Sequence, residues 1–124
     1  NVGIPQGTAK ITFTSGTTGT PKGVCLSAEA MLQVADSLRE ACSPVDPQQH
    51  LILLPLAVLL DNLGAITALL NGASISVPTD TGLQGAQINP ARLLTVLNQS
   101  QPHSLILVPQ PLRPTLAPAV KRRS

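Results

Sequence analysis

A run of small hydroxyl residues and glycines at positions 14–23 has the residue types and spacing for chemistry. The run reads Thr14-Ser15-Gly16-Thr17-Thr18-Gly19-Thr20-Pro21-Lys22-Gly23. Glycine lets backbone N–H groups turn inward and approach a ligand closely, and hydroxyl groups donate hydrogen bonds to phosphate oxygens. Lys22 adds a compact positive charge. Together these residues predict a loop that binds a polyphosphate.

Two common phosphate-binding patterns differ from this run. A P-loop needs glycine directly before lysine, whereas Pro21 precedes Lys22 here and Gly23 follows it. The dinucleotide pattern G-x-G-x-x-G does not occur either. For a generic loop of this composition, the alternative interpretation is a polar glycine-rich turn that binds nothing.

The complete run resembles the phosphate loop of the adenylate-forming superfamily, which includes acyl-CoA synthetases, adenylation domains of peptide synthetases, and luciferases. The family pattern is Ser/Thr-Ser/Thr-Gly-Ser/Thr-Ser/Thr-Gly-x-Pro-Lys-Gly, and residues 14–23 match it at every position. The resemblance continues at Leu54-Pro55-Leu56 and at Leu69-Leu70-Asn71-Gly72-Ala73, and it extends over residues 8–109.

Two histidines of the family pattern are replaced in this sequence. Ala28 stands where the family often has a His near a helix start, and Ala57 and Val58 replace an aromatic residue and a His after Leu-Pro-Leu. In many relatives the second His lines the acyl pocket, so the resemblance implies Val58 as an apolar wall there and a fatty acyl substrate. Asp61 is interpreted as a helix N-cap, with a role in the acyl pocket as the alternative.

The resemblance implies an ATP-dependent, AMP-forming carboxylate ligase. In that reaction a carboxylate attacks ATP to give an acyl-adenylate and pyrophosphate, and a thiol, usually that of coenzyme A, then displaces AMP. Lys22 is expected to offset charge on the departing pyrophosphate. The residues expected to bind the β- and γ-phosphates are Thr14, Ser15, Gly16, Thr17, Thr18, Gly19 and Lys22.

Later motifs of the family do not occur in this sequence. They are an aromatic-Gly-x-Thr-Glu segment whose Glu helps to hold Mg²⁺, a Thr-Gly-Asp segment whose Asp binds ribose, and a C-terminal domain with a Lys used in adenylation. We therefore predict no Mg²⁺ ligand or other metal site here, assign no catalytic residue, and expect the chain alone to be inactive. It is interpreted as an N-terminal-domain fragment. The alternatives are a non-catalytic truncated remnant and a stand-alone nucleotide phosphate-binding module.

The elements that must position the loop alternate between strand and helix. Apolar periodicity and capping residues predict strands at residues 10–14, 24–26, 51–54, 75–77 and 104–108. They also predict a helix that follows the N-cap Ser27 and ends before Pro44, a helix at residues 63–70, and a helix that follows the N-cap Asn89 and begins at Pro90. Such alternation is typical of parallel strands with helices on the faces of the sheet. The predicted fold class is α/β, with residues 1–110 as a partial adenylation domain and residues 111–124 as a disordered Pro-rich basic tail.

Composition limits the other classes of function. Of 124 residues, 43% are apolar, the net charge is +2, and Phe13 is the only aromatic residue. These values predict a packed core and exclude both a basic nucleic-acid surface and an aromatic stacking platform. Residues 51–70 have the length of a membrane span, but Pro55 and Asp61 interrupt them, so two separate elements are predicted.

The His and Cys side chains are interpreted without a functional role. His50 and His103 are expected to be solvated, since neither has an identifiable partner in the sequence. Cys25 and Cys42 are expected to be reduced thiols, which favours a cytoplasmic location.

Overall fold

The part of the chain that the computed structural model describes contains a hairpin, a three-stranded parallel sheet, a short antiparallel strand pair and three helices. That part is residues 3–15, 17, 19–84 and 87–108. The predicted disorder of residues 111–124 lies outside it. In chain order the elements are β1 (Thr8–Ser15), β2 (Pro21–Ser27), α1 (Ala28–Cys42), β3 (Gln49–Leu51), α2 (Leu59–Leu70), β4 (Ser74–Ser76), β5 (Leu83–Gln84), β6 (Gln87–Ile88), α3 (Pro90–Ser100) and β7 (Ser104–Leu105).

The parallel sheet has the strand order β4-β3-β7, with β3 in the centre. His50 on β3 is paired with Ile75 on β4 and with Ser104 on β7, and both pairings are parallel. Helices α2 and α3 each connect two of these strands, as parallel pairing requires. The predicted α/β class, a parallel sheet with flanking helices, is confirmed.

Side-chain alternation along the central strand separates the two helical layers. Leu51 and Leu53 belong to one buried cluster with Leu93 and Val96 of α3. His50 points the other way and lies against α2, because a Cβ at Gly64 would come within 2.8 Å of its ring. Helices α2 and α3 therefore cover opposite faces of the sheet. Helix α1 packs against α2.

The first two strands differ from the predicted parallel arrangement. They form an antiparallel hairpin of their own, in which Thr14 pairs with Lys22 and Ser15 pairs with Pro21. Residues 21–23, predicted as loop, are the start of β2. Proline is tolerated at the first residue of a strand, and glycine composition alone does not show whether cross-strand hydrogen bonds will form. Likewise, residues 79–88, predicted as loop, contain the short antiparallel pair of β5 and β6.

Two helix starts were predicted correctly. The Ser27 side chain accepts a hydrogen bond from the N–H of Ala30 at 3.1 Å, which caps α1. The Asn89 side chain accepts one from the N–H of Arg92 at 3.1 Å, and Pro90 follows at the first helical position of α3. Both satisfy backbone donors that a helix start leaves without partners.

The start of α2 was predicted incorrectly. The helix begins at Leu59 rather than Leu63, and Val58 occupies the N-cap position without a side-chain cap bond. Asp61 is thus inside the first turn, and its interpretation as the N-cap is wrong. The reason is tertiary, since its carboxylate binds backbone N–H groups of Leu53 and Leu54 instead. No helix within the described residues is both long and apolar enough to cross a membrane.

Leu93→Ala is expected to lower the free energy of unfolding by about 2–5 kcal/mol, because it leaves a cavity in the cluster between α3 and β3. Leu93 is 1% exposed, whereas Leu94 on the same helix is 38% exposed. Leu94→Ala is the matched control, and we expect it to cost less than about 1 kcal/mol. Urea unfolding followed by far-UV circular dichroism measures both values. Equal losses would contradict the assignment of this face of α3 to the core.

Candidate functional site

The hairpin of β1 and β2 presents the predicted phosphate loop at its tip. Thr14 and Lys22 are directly opposite each other in the antiparallel register. Side chains of directly opposed residues lie on the same face of a hairpin. The structure therefore brings together a hydroxyl and an ammonium group that are eight positions apart in the sequence. Thr14, Thr17 and Lys22 are all exposed, so a ligand can reach them.

Glycine is required at two positions of the run, for different structural reasons. Gly19 has φ of +76° and nothing within 4 Å of an added Cβ, so the turn needs glycine for its backbone conformation alone. Gly23 makes room, since an added Cβ would lie 3.3 Å from the side chains of Ile11 and Phe13. The structure describes only part of the remaining predicted phosphate-binding positions. Gly16 and Thr18 lie outside the described residues, and so does the side chain of Ser15.

A second group of candidate residues surrounds residues 53–58, which we call the turn segment. It connects the end of β3 to the start of α2 and contains Leu54-Pro55-Leu56. The N–H of Val58 donates to the carbonyl of Pro55 at 2.8 Å, which closes a tight turn. The Asn62 side chain donates to the carbonyls of Leu56 at 2.5 Å and Val58 at 3.2 Å. Hydrogen bonds to backbone atoms thus fix the shape of this segment.

Asp61 is fully buried beneath the turn segment. Its Oδ2 accepts hydrogen bonds from the N–H of Leu53 at 3.1 Å and of Leu54 at 2.5 Å. Its position in the first turn of α2 is favourable for a negative charge. Burial raises the pKa of the Asp61 carboxyl, while the N–H of Leu54, the charge of His50 and the N–H of Leu53 act in the opposite direction.

His50 is a buried neighbour of Asp61, not the solvated residue that was predicted. It is 4% exposed, because β3 is the central strand and α2 covers this face. Its Nδ1 lies 2.9 Å from Ser104 Oγ, and its Nε2 has no hydrogen-bond partner among the described residues. Nε2 lies against Gly64. We therefore assign the neutral tautomer with the proton on Nδ1, donating to Ser104, because a proton on Nε2 would find no acceptor.

The buried imidazole is disfavoured in its charged form. Burial lowers the pKa of His50, and the negative charge of Asp61 partly offsets that effect. His103, in contrast, is exposed as predicted, and its Nδ1 accepts a hydrogen bond from the N–H of Gln48 at 2.9 Å.

The structure places the predicted site residues in two groups. Thr14 and Lys22 lie at the hairpin tip, whereas Val58 and Asp61 lie at the start of α2. The two groups are connected through Lys10 at the base of the hairpin, whose Nζ donates to the carbonyl of Leu56 at 3.3 Å. Sequence reasoning missed Asn62, His50 and Gly64. A glycine three residues after Asp61 in an otherwise helical stretch was the available sign of close packing on this face.

A cavity of about 210 Å³ lies next to the turn segment. Residues 52–56 line one side, and Val77, Pro78 and Thr79 line the other. These residues follow the carboxyl ends of β3 and β4. Ligands of open α/β sheets bind outside the carboxyl ends of strands, where connections leave a central strand in opposite directions. The cavity has that location, next to β3.

The described residues contain neither a cluster of metal-ligating side chains nor a disulfide. Across residues 3–15, 17, 19–84 and 87–108, no three His, Cys, Asp or Glu side chains are grouped closely enough to hold a metal ion. Cys25 and Cys42 are both free and exposed.

Lowering the pH from about 7 to about 5 is expected to reduce the free energy of unfolding through His50. Unfolded His50 takes up a proton below 6.5, its ordinary pKa, whereas burial keeps the folded imidazole neutral. Asp61 opposes this, because its raised pKa lets the folded state bind a proton before the unfolded state does, as the pH falls toward 3.8.

Urea unfolding at a series of pH values measures both contributions. His50→Gln is expected to lose most of the decline between about pH 7 and about pH 5, and Asp61→Asn to decline more steeply than the wild type. A decline in His50→Gln equal to that of the wild type would contradict the burial of a neutral imidazole.

Comparisons with known proteins agree with this arrangement. The amide bond synthetase McbA from Marinactinospora thermotolerans aligns with 95% of this chain and 22% of its own, at 28% identity and a TM-score of 0.66. The luciferase-like enzyme from the nonluminescent Zophobas morio mealworm aligns with 98% of this chain and 26% of its own, at 20% identity and a TM-score of 0.65. The second likeness shows the fold alone. The chain spans about a quarter of the length of both structures.

A family profile covers nearly all of the sequence. It is described as AMP-binding enzyme, and it matches residues 4–123. No curated protein matches the sequence. The matched range includes both the hairpin and the turn segment, and it agrees with the resemblance of residues 14–23 to an adenylate-forming phosphate loop. The chain therefore belongs to the AMP-binding enzyme family.

Proposed function

We propose that this chain contributes the ATP phosphate-binding hairpin of a ligase that activates a carboxylic acid as its acyl-adenylate. The observation that carries the proposal is the opposed pair of Thr14 and Lys22, which flank a turn requiring glycine at Gly19. This arrangement presents a hydroxyl donor and a cation on an exposed, unobstructed tip. Phosphate oxygens are well matched to such donors.

In the proposed reaction a carboxylate oxygen of the acid attacks the α-phosphorus of ATP. A new O–P bond forms as the bond to the bridging oxygen breaks, and that oxygen leaves with pyrophosphate. The chain's contribution is to hold the β- and γ-phosphates with Thr14, Ser15, Gly16, Thr17, Thr18 and Gly19. Lys22 offsets the negative charge that develops on pyrophosphate.

The preferred acid is a fatty acid, activated for transfer to the thiol of coenzyme A. Its support is the apolar Val58, which stands where many relatives carry a His and lies at the end of the turn segment. The cavity of about 210 Å³ beside the turn segment offers further space.

Magnesium accompanies ATP in the proposed reaction as a complex with its phosphates. Because the described residues contain no cluster of three metal-ligating side chains, no step is assigned to a metal held by this part of the chain. A cytoplasmic location fits the proposal, since ATP is available there and the exposed thiols of Cys25 and Cys42 persist in a reducing compartment.

Calorimetric titration of the purified chain with Mg-ATP tests phosphate binding by the hairpin. We expect saturable binding, and we expect Lys22→Ala to weaken it by about tenfold or more, because a hydrogen bond to a charged group contributes about 1.5–3 kcal/mol. Arg39→Ala is the matched control, since it removes one positive charge from α1, where Arg39 forms an ion pair with Asp36. Wild-type affinity in Lys22→Ala would contradict the proposed site.

Titration with octanoate in the presence of Mg-ATP tests the acid. Val58→Asp is expected to weaken octanoate binding by about tenfold, since a charge would be placed on an apolar wall. Val45→Asp is the control, because Val45 is 72% exposed in the turn after α1. Equal affinities of Val58→Asp and the wild type would remove Val58 from the acyl site.

A further inference from the structure

The turn segment, residues 53–58, is held from below by two neighbouring residues of α2. Asp61 accepts from the N–H groups of Leu53 and Leu54, and Asn62 donates to the carbonyls of Leu56 and Val58. One side chain therefore supplies acceptors at the start of the segment, and the next supplies donors at its end. The adjacent side chains divide the task because a carboxylate can only accept hydrogen bonds and an amide nitrogen can only donate.

The position of Asp61 excludes direct contact with a solvated ligand in this conformation. The residue is fully buried, and one of its oxygens faces the two backbone N–H groups. Its other oxygen, Oδ1, has no partner among the described residues. Burying a carboxylate is unfavourable unless its hydrogen bonds replace those with water. In this structure the buried carboxylate instead accepts the hydrogen bonds of the Leu53 and Leu54 amides.

Three parts of the proposed site meet at the turn segment. Residues 53–56 line the cavity of about 210 Å³ at the carboxyl ends of β3 and β4. Lys10, half-buried at the base of the hairpin, donates to the carbonyl of Leu56. The same segment ends at Val58, which precedes the first residue of α2. A shift of the segment would therefore move the cavity wall, Val58 and the hairpin contact together.

We infer that Asp61 is a positioning residue for the acid site: its carboxylate holds the turn segment in place through the backbone of Leu53 and Leu54, and it does not touch the acid. The acid-site half of this inference rests on the function proposed above. The structural half, that Asp61 specifically orders residues 53–58, is independent of any ligand. Asn62 serves the same segment from its other end.

Amide hydrogen exchange, resolved by residue with NMR, tests the structural half. In Asp61→Ala we expect the protection of the Leu53 and Leu54 amides to fall by about tenfold or more. The neighbouring Ile52 amide is the internal reference, because it donates to the carbonyl of Ser76 at 2.9 Å and does not involve Asp61. A fall of equal size at Ile52 would show general destabilisation and overturn the specific role.

Further variants serve as controls for the amide-exchange measurement. Asp61→Asn keeps the size and one acceptor oxygen, so it is expected to restore protection of Leu53 and Leu54 to near the wild-type level. Asp36→Ala is the control for loss of an aspartate, because Asp36 lies on α1 with its side chain 53% exposed.

Should Asp61→Ala fail to fold, Asn62→Ala tests the segment without removing the buried charge. We then expect loss of protection at the Val58 amide, which closes the turn on Pro55.

Titration with octanoate and with Mg-ATP separates the inference from the proposed function. We expect Asp61→Ala to weaken octanoate binding by about fivefold or more while Mg-ATP affinity changes less than about twofold, and Asp61→Asn to restore octanoate binding. Wild-type octanoate affinity in Asp61→Ala, together with lost protection, would overturn the acid-site half. Absence of octanoate binding to the wild type would contradict the proposed acid and the acid-site half together. The exchange rates would still decide whether Asp61 holds the segment.

Discussion

Burial of strand β3 on both of its faces is the constraint on which the rest of the α/β unit depends. Because side chains alternate along a strand, Leu51 and Leu53 face α3 while His50 faces α2. Both helices must therefore approach closely, one over leucines and one over an imidazole. Gly64 permits the second approach, since any larger residue there would meet both His50 and Ile106. The same alternation places Ser104 of β7 beside His50, where it provides a partner for the ring.

The polar groups beneath α2 follow from this packing. A histidine that must face a helix loses its contact with water, so its neutral form is favoured. Asp61, three residues before Gly64 on the same helical face, is buried along with it. Its carboxylate is stabilised by N–H groups that become available where the β3 ladder ends. The buried charge of Asp61 therefore depends on the backbone N–H groups that follow β3.

The hairpin of β1 and β2 is connected to the rest of the fold by contacts other than strand pairing. Within the part of the chain that the structure describes, its two strands are paired only with each other. Phe13, the only aromatic side chain, remains largely exposed on the face opposite Thr14 and Lys22. Contacts with α1 and the bond from Lys10 to Leu56 connect it to the remainder. The pairing of the two strands holds the exposed Thr14 and Lys22 opposite each other near the tip. Its contact with the turn segment is made at its base, through Lys10, and not at its tip.

Sequence patterns were sufficient where the determinants are local. The phosphate-loop run was recognisable because the order of hydroxyls, glycines, proline and lysine is itself the motif, and the family match agrees with it. The caps at Ser27 and Asn89 were predictable because a side chain bonds to a backbone group three residues away. The parallel sheet followed from alternating strand and helix patterns between β3 and β7.

Tertiary structure decided what depends on residues distant in the chain. Pairing of β1 with β2 required hydrogen bonds between strands, which the composition of the glycine-rich run does not encode. His50 was misjudged because its burial comes from α2 and from Ser104, 54 positions away. Asp61 had the sequence context of a helix cap, yet the amides of Leu53 and Leu54 compete for its carboxylate once the chain turns back. The sequence by itself determined which groups are available for chemistry, whereas the fold decided which are exposed to a ligand and which hold the others in place.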